Sequence, residues 1–371
     1  MNRQNHDYRD DFYLSSKRPN SKRRKHYNPD EIDRYNYVDR DIYSSSSDKR
    51  RKGKKRRKKC GLKKILTTAL CLILITFLGV FAYGKYMLSR LNRSENIDTS
   101  KYIEQPADAP AWEVMSDKKI NNILLIGTDK GDDGNSSRSD TSMLVSIDKE
   151  NETVRLVSFL RDLYLEIPTV DYKTKFNVAY AKGGAALTMQ TIENNFRVNV
   201  DKYISVDFES FEQIIDKLGG LDIKMDKKLC DEENKNMGSN LKPGVNHLNG
   251  KLTVYYTRIR NTDSDFGRTG RQREVIELII QKIKKMNPVQ INSMMNECFP
   301  LIKTNLTDSE FMYLASIAGT VSKYDIETMH IPNLNTYKEK RVKGIGAVLD
   351  LDLPKNCEML REFLYGKNNK Q

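Results

Sequence analysis

The chain has 371 residues, 30% of them charged, and a formal net charge of +13, which allows one large domain or two ordinary ones. The first 64 positions hold 22 of the 63 basic residues but only 9 of the 50 acidic ones, so the remainder is neutral. A folded domain that grips nucleic acid through a basic surface is thereby excluded, because the excess charge belongs to a tail.

Residues 1–60 are rich in Asp, Asn, Arg, Lys, Ser and Tyr and nearly free of aliphatic side chains. Such a segment cannot bury enough surface to fold, and a disordered basic tail is expected. The stretch ILTTALCLILITFLGVFAY, residues 65–83, contains no charge. At about 1.5 Å per residue it spans roughly the 30 Å hydrocarbon core of a bilayer, so a transmembrane anchor is expected over 61–84. Twelve Lys or Arg and no acid occupy 49–64, against four basic and two acidic residues in 85–101. That asymmetry puts the N-terminus in the cytoplasm and everything after Lys85 outside the cell membrane. The basic run also suits anionic headgroups, at roughly 1 kcal/mol per residue. The apolar run starts late and lacks a small-x-small site at its end, which argues for a single-pass signal anchor over a cleaved signal peptide. Gly79 to Lys85 imitates a phosphate-binding loop, but Tyr86 stands where Ser or Thr would hold magnesium. Residues 85–116, with Pro106 and Pro110, are expected to form an extracellular stalk, and 117–371 the extracellular domain.

Cys60 and Cys71 lie at or within the membrane, which leaves Cys230, Cys298 and Cys357, an odd number without a C-x-x-C pair. No disulfide framework is expected. His247 and His330 stand far apart without ligand-type neighbours, and neither G-x-S-x-G nor H-E-x-x-H occurs, which argues against zinc and histidine-based nucleophilic chemistry.

Beyond Asp117 the pattern alternates. Short aliphatic strands are expected at 122–127, 143–147 and 154–159, then a helix over 185–195 and a strand at 203–208. A helix follows in SFEQIIDKL, ended by Gly219-Gly220, and then a strand in LDIKM. Further helices are expected near 248–256, 270–286, 289–299 and 307–321. Alternation of this kind predicts a layered α/β domain.

The first strand ends at Asp129, and Asp140 opens the second. If the two pair antiparallel and DKENET turns the chain back, the third strand delivers Arg161 to the same end of the sheet. Spacing alone thus gathers Asp129, Arg138, Asp140 and Arg161. Either an arginine or a hard divalent ion such as magnesium would neutralise the paired carboxylates.

The segment TRIRNTDSDFGRTGRQREV, residues 257–275, adds five arginines. If Tyr256 to Arg260 is extended, Arg258 and Arg260 point to one side. Gln272 shares a helical stripe with Ile276, Ile279 and Ile283 and should face inwards, with Arg268 one turn earlier. Arg273 shares its face with Glu277, Gln281 and Lys284, the expected wet side, and spacing leaves Arg271 unplaced. Inward arginines in excess of acids call for an anion, and a magnesium-bound pyrophosphate would satisfy the set.

Taken in order, NILLIGTD, RSDTSMLVSID, VSFLRD, FNVAYAKGG, YISVDFESF, DKLGGLDI, LNGKLTVYYTRIR and DFGRTGRQREVI resemble the LytR–CpsA–Psr family over about 122–286. The resemblance implies a central mixed sheet with helices on both faces and a hydrophobic groove for a polyprenyl chain. It implies a phosphotransferase that moves a glycopolymer, such as teichoic acid or a capsular polysaccharide, from undecaprenyl pyrophosphate to peptidoglycan. It assigns magnesium to Asp129 and Asp140, and the pyrophosphate to Arg138, Arg161, Arg258, Arg260, Arg268 and Gln272. Asp265 is implied as the base, with Arg258 and Arg260 beside it in the catalytic set. Leu160 departs from the family's usual proline before the third-strand arginine, and the chain after about 290 matches poorly. Two other readings use the same residues or the same tail: a polyprenyl-pyrophosphate phosphatase, and a membrane-tethered regulator with a DNA-binding tail.

Overall fold

The computed structural model describes residues 60–93, 113–129, 138–260, 262 and 264–366, with side chains from Thr68 onward. The tail expected over 1–60 lies outside them, apart from Cys60. Helix α1, Cys60–Ser89, contains one segment, Thr68–Ser89, long and apolar enough to cross a membrane, with large hydrophobic side chains such as Phe77 and Val80 exposed. Gly79 and Gly84 sit within this continuous helix, so the imitation phosphate loop has no loop geometry.

The segment expected as a stalk is folded at both of its described ends. Met87, Leu88 and Leu91 bury against Phe299, with Met295 and Phe311 beside them, and Lys85 pairs with Asp308 at 2.6 Å. Strand β1, Asn92–Arg93, then joins the sheet, while the backbone of Met115 bonds that of Arg197.

The strands that follow are β2 (Ile120–Thr128), β3 (Ser139–Asp148) and β4 (Thr153–Phe159), then the short pair β5 (Tyr164–Leu165) and β6 (Thr174–Lys175). Helix α2, Val178–Phe196, kinks at Gly183-Gly184, and Gly184 takes a φ of +60 that suits glycine, so the regular helix is the expected 185–195 stretch. Strand β7 (Lys202–Asp207), helix α3 (Phe208–Lys217), strand β8 (Leu221–Met225) and helix α4 (Lys227–Met237) come next. They are followed by β9 (Gly244–Leu248), α5 (Gly250–Tyr256), α6 (Asp265–Lys284) and α7 (Pro288–Cys298). The last elements are β10 (Lys303–Thr304), α8 (Asp308–Val321), β11 (Asp325–Ile331), β12 (Tyr337–Val342), β13 (Gly346–Leu351) and α9 (Leu353–Tyr365).

Among the described residues, seven strands form one mixed sheet in the order β1-β10-β7-β2-β3-β4-β11. Strand β2 runs antiparallel to β3 and parallel to β7, and β4 runs antiparallel to β3 and parallel to β11. Period-2 alternation assigns the two faces. Leu124, Ile126 and Leu144 pack with Met189, Ile192 and Phe196 of α2 and with Leu360 and Leu364 of α9. Leu125, Met143 and Val145 face the other way, towards Ile276 of α6. With both faces covered, the central strands are apolar at nearly every position, which is why NILLIG shows no polar alternation.

A second apolar cluster joins Ile215 and Leu218 of α3, Ile223 of the β8–β9 hairpin, Cys230 of α4, Tyr256 of α5 and Val275 of α6. Helix α5 approaches α3 so closely that a Cβ on Gly250 would lie 2.1 Å from the Glu212 carbonyl oxygen, so only glycine fits there. Cys71, Cys230, Cys298 and Cys357 are free thiols.

Inside this cluster region Glu233 of α4 is fully buried, and neither carboxylate oxygen has a hydrogen-bond partner. Burial pushes its pKa up from 4.5 to about 7. Between those values the folded state holds a proton that the unfolded state has lost, so stability falls as pH rises through that window and then levels. Glu233→Gln should therefore raise Tm relative to the parent at pH 8, with the gain vanishing near pH 4. A gain equal at both pH values would contradict the assignment.

Candidate functional site

Strands β2, β4, β7 and β11 all finish at one end of the sheet, where β3 starts. In open α/β sheets the space beyond the carboxyl ends of the strands is where ligands bind. Here a bulge shapes that end. Gly127 pairs with Thr141 but Thr128 pairs with Ser139, so Asp140 is the extra residue. Bulges re-aim a side chain in this way, and this one turns Asp140 into a cluster of arginines.

Arg161 follows β4 as expected, and its Nη1 bonds Asp140 Oδ1 at 3.0 Å. Its Nε lies 3.4 Å from Asp162 Oδ2 and 3.5 Å from Asp265 Oδ2. Arg260 Nη2 is 3.4 Å from Asp140 Oδ2, and Arg268 Nη2 is 3.0 Å from Asp265 Oδ2. Lys175 closes the set, 2.7 Å from Asp162. Burial works against the charge of Arg161, but the carboxylates of Asp265, Asp162 and Asp140 outweigh it and hold the guanidinium above its ordinary pKa. Arg268 shows the opposite balance. Burial holds it below its ordinary value; Asp265 offsets part of this, while Arg161 and Arg260 add to the lowering.

Arg268 is the most informative of these residues. It is 1% exposed, yet its Nε and Nη1 have no hydrogen-bond partner, and neither does Arg161 Nε. Buried N–H groups are nearly always satisfied, and unmet donors on adjacent guanidinium groups mark a place for an oxyanion.

Beside the cluster lies an apolar cavity of about 270 Å³ between β2, β3 and β7 of the sheet and helices α3 and α6. Met143, Val206, Phe208, Phe211, Ile276 and Ile279 contribute to its wall, and Gly127, Thr141 and Gln272 mark its polar end. Gln272 thus points inwards as its stripe predicts, one helical turn beyond Arg268, and its Nε2 is 3.4 Å from the Thr257 carbonyl oxygen.

Three expectations for the arginine segment are corrected. Tyr256 to Arg260 is not extended: Tyr256 closes α5, and the N–H groups of Arg258 and Ile259 both bond the Tyr255 carbonyl. Strand alternation therefore does not align Arg258 with Arg260. Arg260 reaches Asp140, whereas Arg258 stacks over the Phe208 ring, 4.4 Å from its centroid, at the groove wall. Arg273 is not on a wet face, because strands β4 and β11 cover that side of α6 and its Nη1 bonds Ser158 at 3.0 Å. Arg271, which spacing left open, is 5% exposed and donates to the backbone carbonyls of Tyr256 and Ile259. It ties the turn to α6. Helix α6 also starts at Asp265, five residues before the periodic stretch, which places Asp265 in its first turn.

Asp129 Oδ1 accepts the backbone N–H of Arg138 at 2.8 Å. The Arg138 side chain is exposed and lines a separate polar cavity. Leu160 explains its own departure from proline: its backbone N–H bonds the Ile331 carbonyl at 2.9 Å, a bond proline cannot make. Sequence reasoning missed Lys175 and gave no role to Asp162, which stands directly after Arg161. It also missed the C-terminal contribution to the site. Phe266 of α6 packs edge-on against His330 and beside Tyr337, and the Leu349 N–H bonds the Asp162 carbonyl at 2.9 Å.

Buried Arg268 and half-buried Arg161, with unmet donors beside an apolar groove, form an arrangement that suits an anion carrying an apolar tail. Residues 84–353 match the model of the LytR_cpsA_psr family. The chain belongs to that family. It is 32% identical over 255 residues to the regulatory protein MsrR of Staphylococcus aureus (strain COL), spanning 68% of this chain and 76% of that one. It is 30% identical over 286 residues to the polyisoprenyl-teichoic acid–peptidoglycan teichoic acid transferase TagV of Bacillus subtilis (strain 168), spanning 74% and 73%. Among solved structures, TagT bound to LIIa-WTA superposes with a TM-score of 0.56 at 25% identity, over 71% of this chain and 95% of that one.

Proposed function

We propose that this protein is a membrane-anchored phosphotransferase that moves a glycopolymer from a polyprenyl-pyrophosphate carrier to a peptidoglycan hydroxyl. One observation carries the reading: Arg268, fully buried beside an apolar groove, has two N–H groups without an acceptor. The relative named as a teichoic acid transferase and the likeness to a structure with a bound wall-polymer ligand support it.

In this reading the polyprenyl chain occupies the groove. Arg161, Arg260 and Arg268 hold the pyrophosphate, with Gln272 at the junction of groove and cluster. The acceptor oxygen bonds to the phosphorus next to the polymer, the bond to the lipid phosphate breaks, and the lipid monophosphate leaves. Charge developing on those oxygens meets preorganised guanidinium groups, the principal source of catalysis in phosphoryl transfer. Asp265 takes the acceptor's proton. Its Oδ2 is held by Arg161 and Arg268, which fixes the carboxylate against the reacting phosphate. Arg258, stacked on Phe208, serves the groove wall in place of the reacting centre, and Arg138 belongs to the rim.

In the same reading Asp129 and Asp140 would hold magnesium. Asp129 and Asp140 flank one bulge, and each Asp140 oxygen meets only one arginine, which leaves lone pairs for a hard ion. Bound there, magnesium would neutralise phosphate charge. The apolar helix supplies proximity, because enzyme and lipid-linked donor then share one membrane. The basic run over 49–64 supports an orientation with the catalytic domain outside the cell.

Full-length protein in vesicles, given lipid-linked polymer and peptidoglycan, should yield polymer covalently joined to peptidoglycan. Release of free polymer phosphate alone would establish a phosphatase instead. The groove has its own test. Ile279→Glu should weaken binding of octaprenyl pyrophosphate at least about tenfold while sparing isopentenyl pyrophosphate, because only the long chain reaches the altered wall. Equal weakening of both would place the chain elsewhere.

A further inference from the structure

Helix α1 meets the rest of the fold along α7. Met87, Leu88 and Leu91 bury against Phe299 with Met295 beside them. Nearer the apolar run, the Tyr83 hydroxyl donates to Asn292 Oδ1 at 3.1 Å and accepts from Asn296 Nδ2 at 3.0 Å. Moving towards the membrane on α1 is therefore also moving towards the N-terminus of α7. Lys85 is the first charge after the apolar run, and Tyr83 and Tyr86 stack either side of it, which sets the hydrocarbon boundary at this level. The first turn of α7, one turn beyond Asn292, reaches that boundary. We propose that the α6–α7 corner, residues 284–291, docks on the bilayer surface, with Val289 among the upper acyl chains and Lys284 and Lys285 on anionic phospholipid headgroups. The inference rests on the membrane-anchored reading above.

Three observations at the corner support this contact. Val289 is 78% exposed, more than the 72% of Val80 within the apolar span itself, so covering it falls to something outside the fold. From Leu278 to Asn296 the chain holds three lysines and no acid. Lys282 is taken up by the carbonyls of Gly219 and Gly220, whereas Lys284 and Lys285 are exposed, and the Asp222 carboxylate near Lys285 is engaged by His247 at 2.7 Å. The backbone also suits a poorly hydrated place. Pro288 has no N–H, and the N–H groups of Asn287 and Gln290 are met by each other's side chains in a capping box. Docking fixes the far end of α6, which runs from Arg268 in the cluster past Ile276 and Ile279 of the groove wall to Lys284, about 24 Å by the rise of an α-helix. The reacting cluster then stands at a set height above the bilayer.

Tryptophan fluorescence of full-length protein in vesicles of brominated phosphatidylcholine and phosphatidylglycerol reads the contact. Trp112→Phe removes the one native tryptophan, and Val289→Trp, Leu334→Trp and Phe77→Trp are compared in that background. Leu334 is 60% exposed and follows β11, the sheet edge opposite β1 and the anchor. Val289→Trp should be quenched and blue-shifted, as Phe77→Trp is, while Leu334→Trp should not. Adding Lys284→Glu and Lys285→Glu should lower the docked-to-free ratio read by Val289→Trp at least about fivefold, and the same fall should follow replacement of phosphatidylglycerol by neutral lipid. Quenching of Phe77→Trp without quenching of Val289→Trp overturns the contact and leaves the anchor standing. No quenching of Phe77→Trp removes the anchor, and the contact with it. Equal quenching of Leu334→Trp and Val289→Trp would overturn the corner as the docking point. Quenching unchanged by the lysine substitutions and by neutral lipid would overturn the pairing with anionic headgroups.

Discussion

Asp265→Asn should lower the turnover number of polymer transfer by about 10²–10⁴-fold, the range for a general base, and leave donor binding nearly intact. Asparagine keeps the size of the side chain and one oxygen for Arg161 and Arg268, which now contact Asp265 Oδ2 at 3.5 and 3.0 Å. What it loses is the capacity to take a proton. Single-turnover transfer, compared with the Kd for octaprenyl pyrophosphate, separates the two roles. A variant that fails to bind the lipid but reacts normally when saturated would make Asp265 a binding residue and leave the reaction without its base.

Arg268→Leu should reduce transfer efficiency by about 10²–10³-fold, as removing a preorganised charge donor does, without destabilising the fold. Arg268 keeps its charge in a dry place with two N–H groups unmet, so an apolar residue there relieves a desolvation cost. Asp265 is not orphaned by the change, because Arg161 remains beside it. Arg271, three residues along the same helix, should behave in the opposite way. Its guanidinium satisfies the backbone carbonyls of Tyr256 and Ile259, so Arg271→Leu should cost about 2–4 kcal/mol of stability through unmet acceptors. Thermal or urea unfolding of the two variants side by side decides the matter. A large Tm loss in Arg268→Leu would make that arginine structural and remove the main reason for placing an anion there.

Much of this site could be read from the sequence because strand ends and turns are local features. Asp129, Asp140 and Arg161 each stand at the boundary of an aliphatic run, and antiparallel pairing of β2, β3 and β4 brings those boundaries together without further information. Helical phase likewise placed Gln272 and Arg268 inwards. The failures share a cause. Arg273 was assigned to solvent because its stripe is charged, but a stripe reports polarity and not what packs over it, and here β4 and β11 do. Arg258 was aligned with Arg260 by assuming a strand where the end of α5 forms a turn. The bulge at Asp140 depends on pairing register, which the run of residues does not specify. The apolar groove and the polar cavity draw on elements far apart in sequence, and the cavity depends on the C-terminal hairpin, where the motifs had given no guidance. The apolar span forms one long helix, yet its last turns pack on the residues around Phe299, where a stalk is expected from residue 85 onward.

The central claim is that the arginine cluster around buried Arg268 and the apolar groove together hold one polyprenyl pyrophosphate. The most direct test is a structure of the full-length protein in detergent with octaprenyl pyrophosphate bound. Phosphate oxygens should lie within about 3 Å of Arg268 Nε or Nη1 and of Arg161, with the chain running between α3 and α6 past Val206 and Ile279. A pyrophosphate seated away from Arg268, or a chain lying outside that groove, would contradict the account.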